Sequence, residues 1–183
     1  MNLSKLKAGM LTLTMGRTIL FFRELSSTND IAKELALQGA AEGTVTVAET
    51  QIRGRGRIER EWFSPKGGLW FSIILRPKIS PKDAPKLTLM MSVAVAHALS
   101  KMFDLATEIK WPNDVLVKNK KICGILTEAN TRGNQVQFVI IGVGVNANFD
   151  VRDMPFTLQP SSTTLKEELN KEINLEALLR TLL

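Results

Sequence analysis

The sequence predicts an α+β protein: a central mixed, largely antiparallel sheet with helices packed on it. Three observations carry that expectation. Two apolar runs of strand length, Leu69–Leu75 and Val136–Val145, read as buried strands. A longer stretch, Asp83–Phe103, repeats apolar residues at helical spacing. In the second half, short strand candidates follow one another across tight turns, which speaks for hairpins rather than strict strand–helix–strand alternation.

The elements follow in order. Ile19-Leu20-Phe21-Phe22 reads as the first strand. Ser27-Thr28-Asn29-Asp30 matches a capping box, with Ser27 as N-cap and Asp30 at the third helical position. The helix behind it carries Ile31, Leu35 and Ala36 and ends near Gly39. Thr44–Ala48 is a β-branched strand, and a loop rich in Arg and Gly follows it. Pro77 stops the strand Leu69–Leu75. The helix Asp83–Phe103 places Leu87, Met90, Ala94, Ala98 and Met102 on one face. Strands are expected at Glu108–Lys110, Asp114–Val117 and Lys121–Glu128, and Arg132-Gly133-Asn134 turns the chain into Val136–Val145. Phe149–Pro160 reads as a loop, and Leu175–Leu183 begins a helix that the end of the chain cuts short.

At 183 residues the chain is one domain, or a domain with a short appendage, and its 44% hydrophobic content suits a full core. One cysteine, Cys123, excludes an internal disulfide and fits a reducing cytoplasm; it reads as a small buried residue. With one histidine besides, an ordinary zinc site is excluded, no metal ligand is assigned, and His97 is given no catalytic role. The net charge of +6 points, weakly, to an anionic partner. No apolar run is long enough to span a bilayer, so no membrane partner is expected. Lys5, Lys7 and the apolar patch Leu11–Met15 lack the cleavage pattern of a secretory signal.

Three segments carry chemistry. In the first, Arg53, Arg55, Arg57 and Arg60 surround Gly54 and Gly56. Glycine admits close backbone approach, and arginine presents a planar fork suited to phosphate or carboxylate. A solvated charged loop, partly neutralised by Glu59 and Glu61, is the plain alternative, and a non-specific nucleic-acid contact is another. The loop is not a Walker loop. The second is Lys110-Trp111-Pro112-Asn113-Asp114, a kink and a turn, with Lys121 and Gly124 one hairpin away. Such a hairpin brings Asp114 near Lys121, whose charge must be matched where its strand dives into apolar surroundings. The third is Gly142-Val143-Gly144-Val145-Asn146-Ala147. It matches a relaxed dinucleotide fingerprint, but the residues after it make a poor helix start, so that reading is rejected. Glycines that let a flat ligand lie on the strand, with Asn146 as a polar contact, fit better.

Taken together, these segments resemble the catalytic domain of biotin protein ligases, from about Phe22 to Leu165. The resemblance rests on Ser26-Ser27-Thr28-Asn29, Gln51 with Gly54-Arg55-Gly56-Arg57 and Arg60, Ser64-Pro65 with Gly67-Gly68-Leu69, Lys110-Trp111-Pro112-Asn113-Asp114, Lys121 with Gly124-Ile125-Leu126, and Gly142, Gly144 and Asn146. Each motif is modest alone; the set in this order is specific. It implies a class II synthetase-like fold, with ATP and biotin as substrates and Mg²⁺ to shield the pyrophosphate that leaves. Biotin would first be activated to biotinyl-5'-AMP, then passed to a lysine of a biotin carboxyl carrier protein or domain.

The resemblance also implies roles. Lys121, Arg57 and Asp114 would be catalytic, with Lys121 touching both the biotin carboxylate and the α-phosphate. Ser27, Thr28, Asn29, Gln51, Arg55, Gly56, Arg57, Lys121, Gly124, Gly142 and Gly144 would bind biotin. Arg55, Arg57, Trp62, Lys121, Asn113 and Asn146 would bind the nucleotide. The Arg/Gly loop would close over the adenylate. A homodimer is the family expectation. Residues 1–183 would form the catalytic domain, with the family's small C-terminal β domain absent or missing, and residues 1–20 are too short for a DNA-binding domain, so no DNA partner is expected. A lipoate or octanoate ligase is the runner-up; Ser27, Thr28 and Gln51 suit a polar ureido head better than a fatty chain. A basic nucleic-acid-binding module would need its charge spread over a face rather than concentrated in one loop.

Overall fold

The structure of the chain, a computed structural model, describes residues 1, 4, 6, 8–58 and 60–183. Lys5, Lys7 and Glu59, which enter the sequence argument, lie outside them. Strands β1 (Ile19–Leu25), β2 (Val45–Gln51), β3 (Leu69–Leu75), β4 (Thr107–Lys110), β5 (Asp114–Val117), β6 (Lys120–Arg132) and β7 (Gln135–Val145) form one sheet in the order β1-β2-β3-β7-β6-β5-β4. Among these strands only β1 and β2 pair in parallel; every other neighbour is antiparallel. The helices are α1 (Thr28–Leu37), α2 (Ala84–Phe103), the short α3 (Leu165–Leu169), which the sequence reading missed, and α4 (Leu175–Leu182). The mixed, largely antiparallel α+β sheet is the one the sequence predicts.

Every residue of β3 is buried, because both faces of the sheet are covered. On one face, Phe71 and Ile73 of β3, Ile141 and Val143 of β7, and Val95 and Leu99 of α2 share one core with Leu178 and Leu179 of α4. The opposite face changes along its strands. Ala32 and Ala36 of α1 cover Ile74, Phe138 and Ile140 at one end. At the other end Trp70 packs with Phe149, Val151 and Met154. Between them lie Ser72, Gly142, Gly144 and Gly124, aligned across the sheet by register: Ser72 opposite Gly142, and Gly144 opposite Gly124. The first turn of α1 covers the Ser72–Gly142 end of this gap, and the small residues leave room above the rest.

A register shift between Val115 and Leu116 shapes one border of the gap. Val115 pairs with Cys123, yet Leu116 pairs with Lys121, so Ile122 is the extra residue of a β-bulge. Ile122 and Cys123 are both fully buried in the same core. Strict alternation would have put Lys121 on that core side with Cys123. The bulge turns it to the face that carries Asp114 and Gly124.

Two local expectations are corrected. Ser27 is the N-cap of α1 in extended conformation, but it makes no side-chain cap hydrogen bond, and Asp30 pairs with Arg55 instead of closing a capping box. In α2, Met90 and Ala94 are exposed; the buried stripe runs through Thr88, Met91, Ser92, Val95 and Leu99. This helix is apolar nearly all round, so periodicity alone places its inner face one residue off. His97 lies exposed on it. The chain leaves β7 through Asn146–Phe149 without starting a helix, as the rejection of the dinucleotide fingerprint requires.

Candidate functional site

Above the gap lies a cavity of about 520 Å³. Every residue the sequence singles out for catalysis, head-group binding or nucleotide binding lines it. The fold thus brings α1, the loop after β2, the β4–β5 turn, the start of β6 and the end of β7 to one place.

At one end the floor is polar and closely hydrogen-bonded. The Thr28 backbone N–H donates to Gln51 Oε1 at 2.8 Å, and the Thr28 hydroxyl lies 3.1 Å from the same oxygen. Gln51 Nε2 donates to Ser64 Oγ at 2.8 Å, and Ser64 Oγ donates to the Trp62 carbonyl at 3.0 Å. Ser72, fully buried in β3, sits 2.7 Å from the Thr28 hydroxyl and 2.6 Å from Asn29 Oδ1. Asn29 Nδ2 donates to Glu128 Oε2 at 2.6 Å. Helix α1 places Thr28 and Asn29 here because their backbone starts the helix and their side chains turn back over the sheet. A Cβ on Gly142 would collide with Asn29 Oδ1, so only glycine lets Asn29 lie this close to β7.

The other end is charged. Lys121 Nζ pairs with Asp114 Oδ1 at 2.7 Å, both side chains being less than a third exposed. The same ammonium lies 4.8 Å from the centre of the Trp62 ring, a cation–π distance. The Trp62 indole lies across the glycines: a Cβ on Gly144 would strike Nε1, and one on Gly124 would come within 2.9 Å of the ring. Trp62 Nε1 is buried and has no hydrogen-bond partner among the described residues, so a polar ligand atom there would relieve a cost. Asn146 is buried; its amide nitrogen donates to the carbonyls of Lys121 (3.3 Å) and Thr163 (3.1 Å). Any contact from its side chain to a ligand must therefore come from its oxygen. Burial pushes the Cys123 thiol far up from its ordinary value, and it faces the core as a small inert residue.

The Arg/Gly segment arches over the cavity as an irregular hairpin. Arg55 bridges to Glu61, Gly56 N–H donates to the Arg60 carbonyl at 2.6 Å, and Ile58 at the tip has φ +54° and is exposed. Arg57 Nη1 donates to Asn113 Oδ1 at 3.1 Å, and Asn113 Nδ2 donates in turn to the Ile125 carbonyl at 3.1 Å. Arg55 is held by Asp30 at 2.6 Å and by Glu128 at 3.1 Å. The β4–β5 turn that supplies Asn113 contains a cis Trp111–Pro112 bond. Among the described residues no three His, Cys, Asp or Glu cluster as a metal site, and no helix is long and apolar enough to cross a membrane.

Sequence reasoning gave no site role to Ser64, Ser72 or Glu128, although Ser64 stands in one of the motifs that carry the resemblance. Ser72 carried a signal: it is the polar residue inside the run Leu69–Leu75, and a buried hydroxyl needs a partner. Glu128 carried none.

The model of the biotin/lipoate A/B protein ligase family matches residues 21–146. The chain is 42% identical over 172 residues to the bifunctional ligase/repressor BirA of Bacillus subtilis, covering 93% of this chain and 53% of that protein. It is 39% identical over 122 residues to the biotin–[acetyl-CoA-carboxylase] ligase of Paracoccus denitrificans, covering 66% of this chain and 50% of that one. The chain thus spans about half the length of these curated relatives. Among solved structures, the biotin protein ligase of Aquifex aeolicus in complex with biotin and ATP superposes with a TM-score of 0.76 at 32% identity, covering 91% of this chain and 67% of that one.

Proposed function

The chain belongs to the biotin/lipoate A/B protein ligase family, and from that membership we propose that it joins biotin to AMP at the expense of ATP, then transfers the biotinyl group to a lysine of a carboxyl carrier domain. One observation carries the reading: a single cavity has a hydrogen-bonding floor at one end and the Lys121–Asp114 pair at the other. The Aquifex structure, described as a complex with biotin and ATP, supports the choice of substrates.

The proposed chemistry follows from the layout. The ureido ring lies at the head end, against Ser27, Thr28, Asn29 and Gln51, with Arg55 and Gly56 above it. Gly124, Gly142 and Gly144 let the flat bicycle and its tail lie on the strands. The tail points the carboxylate towards Lys121. Carboxylate oxygen attacks the α-phosphorus of ATP, a P–O bond forms, and the bond to pyrophosphate breaks. Two anions must meet for this, so preorganised positive charge lowers the barrier most. Lys121 supplies it to carboxylate and α-phosphate together, and Arg57 supplies it from the loop. In the second step the carrier's lysine, as the free amine, attacks the biotinyl carbonyl. A C–N bond forms, the C–O bond to AMP breaks, the surplus proton of the amine passes to solvent, and Asp114 orients Lys121 or the incoming amine. Trp62, Asn113 and Asn146 line the nucleotide side. Mg²⁺, which binds through substrate phosphates and few protein ligands, would shield charge on the pyrophosphate. The adenylate is a water-sensitive mixed anhydride, so the loop 53–62 closes over it.

The reading includes a carrier protein partner, a cytoplasmic setting and a homodimer, and no DNA contact by these residues; repression belongs to the printed name of the Bacillus relative. Exchange of labelled pyrophosphate into ATP tests it. Biotin should drive the exchange and lipoate or octanoate should not; exchange driven by a fatty acid alone would assign the chain to the lipoate side of its family.

A further inference from the structure

We propose that Glu128, which does not line the cavity, is a positioning residue that fixes Asn29 and Arg55 for the head-group end of the site; the proposal rests on the biotin reading above. Glu128 stands on β6, beyond Leu126, and points to the same face as Gly124. Its Oε2 accepts from Asn29 Nδ2 at 2.6 Å and from Arg55 Nη2 at 3.1 Å. One oxygen therefore joins the first turn of α1 to the arm of the Arg/Gly loop.

The chemistry of the acceptor matters more than the contact. An ionised carboxylate only accepts hydrogen bonds. Asn29 must then turn its NH₂ to Glu128 and its oxygen to Ser72, which lies 2.6 Å from it. That oxygen is also the atom that lies over Gly142. Glu128, with the Leu126 carbonyl that accepts from the same Nδ2 at 3.4 Å, thereby sets which edge of the Asn29 amide faces the floor. It also shares Arg55 with Asp30, and so keeps that guanidinium at the head end instead of among the anions near Lys121. A plain surface ion pair would do none of this, and such pairs contribute little.

The neutral isostere tests the point. Gln can donate as well as accept, so E128Q weakens the hold on the Asn29 amide, leaving the longer contact to the Leu126 carbonyl, while changing almost no volume. In biotin-dependent pyrophosphate exchange the KM for biotin should rise about tenfold, as for the loss of a charge-assisted hydrogen bond. The KM for ATP and kcat at saturating biotin should hold, and E128A should raise the biotin KM further. In the ligand-free chain, trypsin should cut after Arg55 faster in D30N/E128A than in the unsubstituted chain. A wild-type biotin KM in E128Q, with an unchanged thermal midpoint, overturns the proposal, as does unchanged cleavage after Arg55 in the double variant. No biotin-dependent exchange in the unsubstituted chain would instead overturn the ligase reading, and the trypsin comparison then decides the hold on Arg55 by itself.

Discussion

Lys121 meets Asp114 at 2.7 Å because a bulged residue, Ile122, separates it from Cys123. The pair spans neighbouring strands, and without the bulge the lysine would point into the core on the far side of the sheet. Its charge is instead presented to the cavity, over the face of Trp62.

Replacing Lys121 by Ala should cut the adenylation rate by about 10²–10³-fold, the cost of removing one preorganised electrostatic contact to a developing charge. The fold should persist, since Lys121 and Asp114 both keep contact with solvent. Pyrophosphate exchange and a thermal unfolding scan on the same sample read both effects. Near-normal exchange would remove Lys121 from its role.

Gly142→Ala should abolish biotin binding while the chain stays folded. The position has an ordinary strand backbone, so the cost comes from the new methyl group meeting Asn29 Oδ1. Asn29 must move, and with it the floor of the head end. Titration calorimetry with biotin shows the loss; circular dichroism shows the retained sheet.

Ser72→Ala deletes a fully buried hydroxyl placed between Thr28 and Asn29. It should cost about 1–3 kcal/mol, the range for stranding a buried polar partner. Urea unfolding measures it, with the midpoint moving and the slope holding.

Stability should fall in acid partly through Glu168. Burial works to raise its carboxyl, but the Lys118 ammonium and the Thr163 hydroxyl outweigh burial and hold it below its ordinary value of 4.5. A depressed carboxyl stabilises the fold above the unfolded value and loses that contribution as pH drops through the folded one, because the unfolded chain then takes up the proton first. The window therefore opens near pH 4.5 and extends downward. E168Q should be less stable than the parent at neutral pH and should lose less between there and acid; parallel curves would contradict this.

Much of the fold was legible because burial writes itself plainly into some segments. Leu69–Leu75 is found with the bounds expected, since its apolar run is unbroken apart from Ser72. Asp114–Val117 likewise keeps its bounds. Other features depended on distant partners. Asp30 has the spacing of a capping residue, and nothing nearby in sequence reveals that Arg55 claims it. The inner face of α2 was obscured because its outer face is also apolar, with Met90 and Val93 exposed. In the candidate site, motif order gathered the cavity lining, but the bulge that aims Lys121 is a register event, visible only once β5 and β6 are paired. Glu128 is an ordinary charged residue on a strand until Asn29 and Arg55 arrive beside it.

The central claim is that this cavity makes a biotinyl adenylate at Lys121. Mixing the chain with biotin, ATP and Mg²⁺, without carrier protein, and analysing the protein-bound fraction by mass spectrometry tests it most directly. The account predicts biotinyl-5'-AMP retained by the unsubstituted chain and lost in K121A. A chain that binds biotin yet forms no adenylate, or a K121A variant that accumulates it normally, would contradict the account.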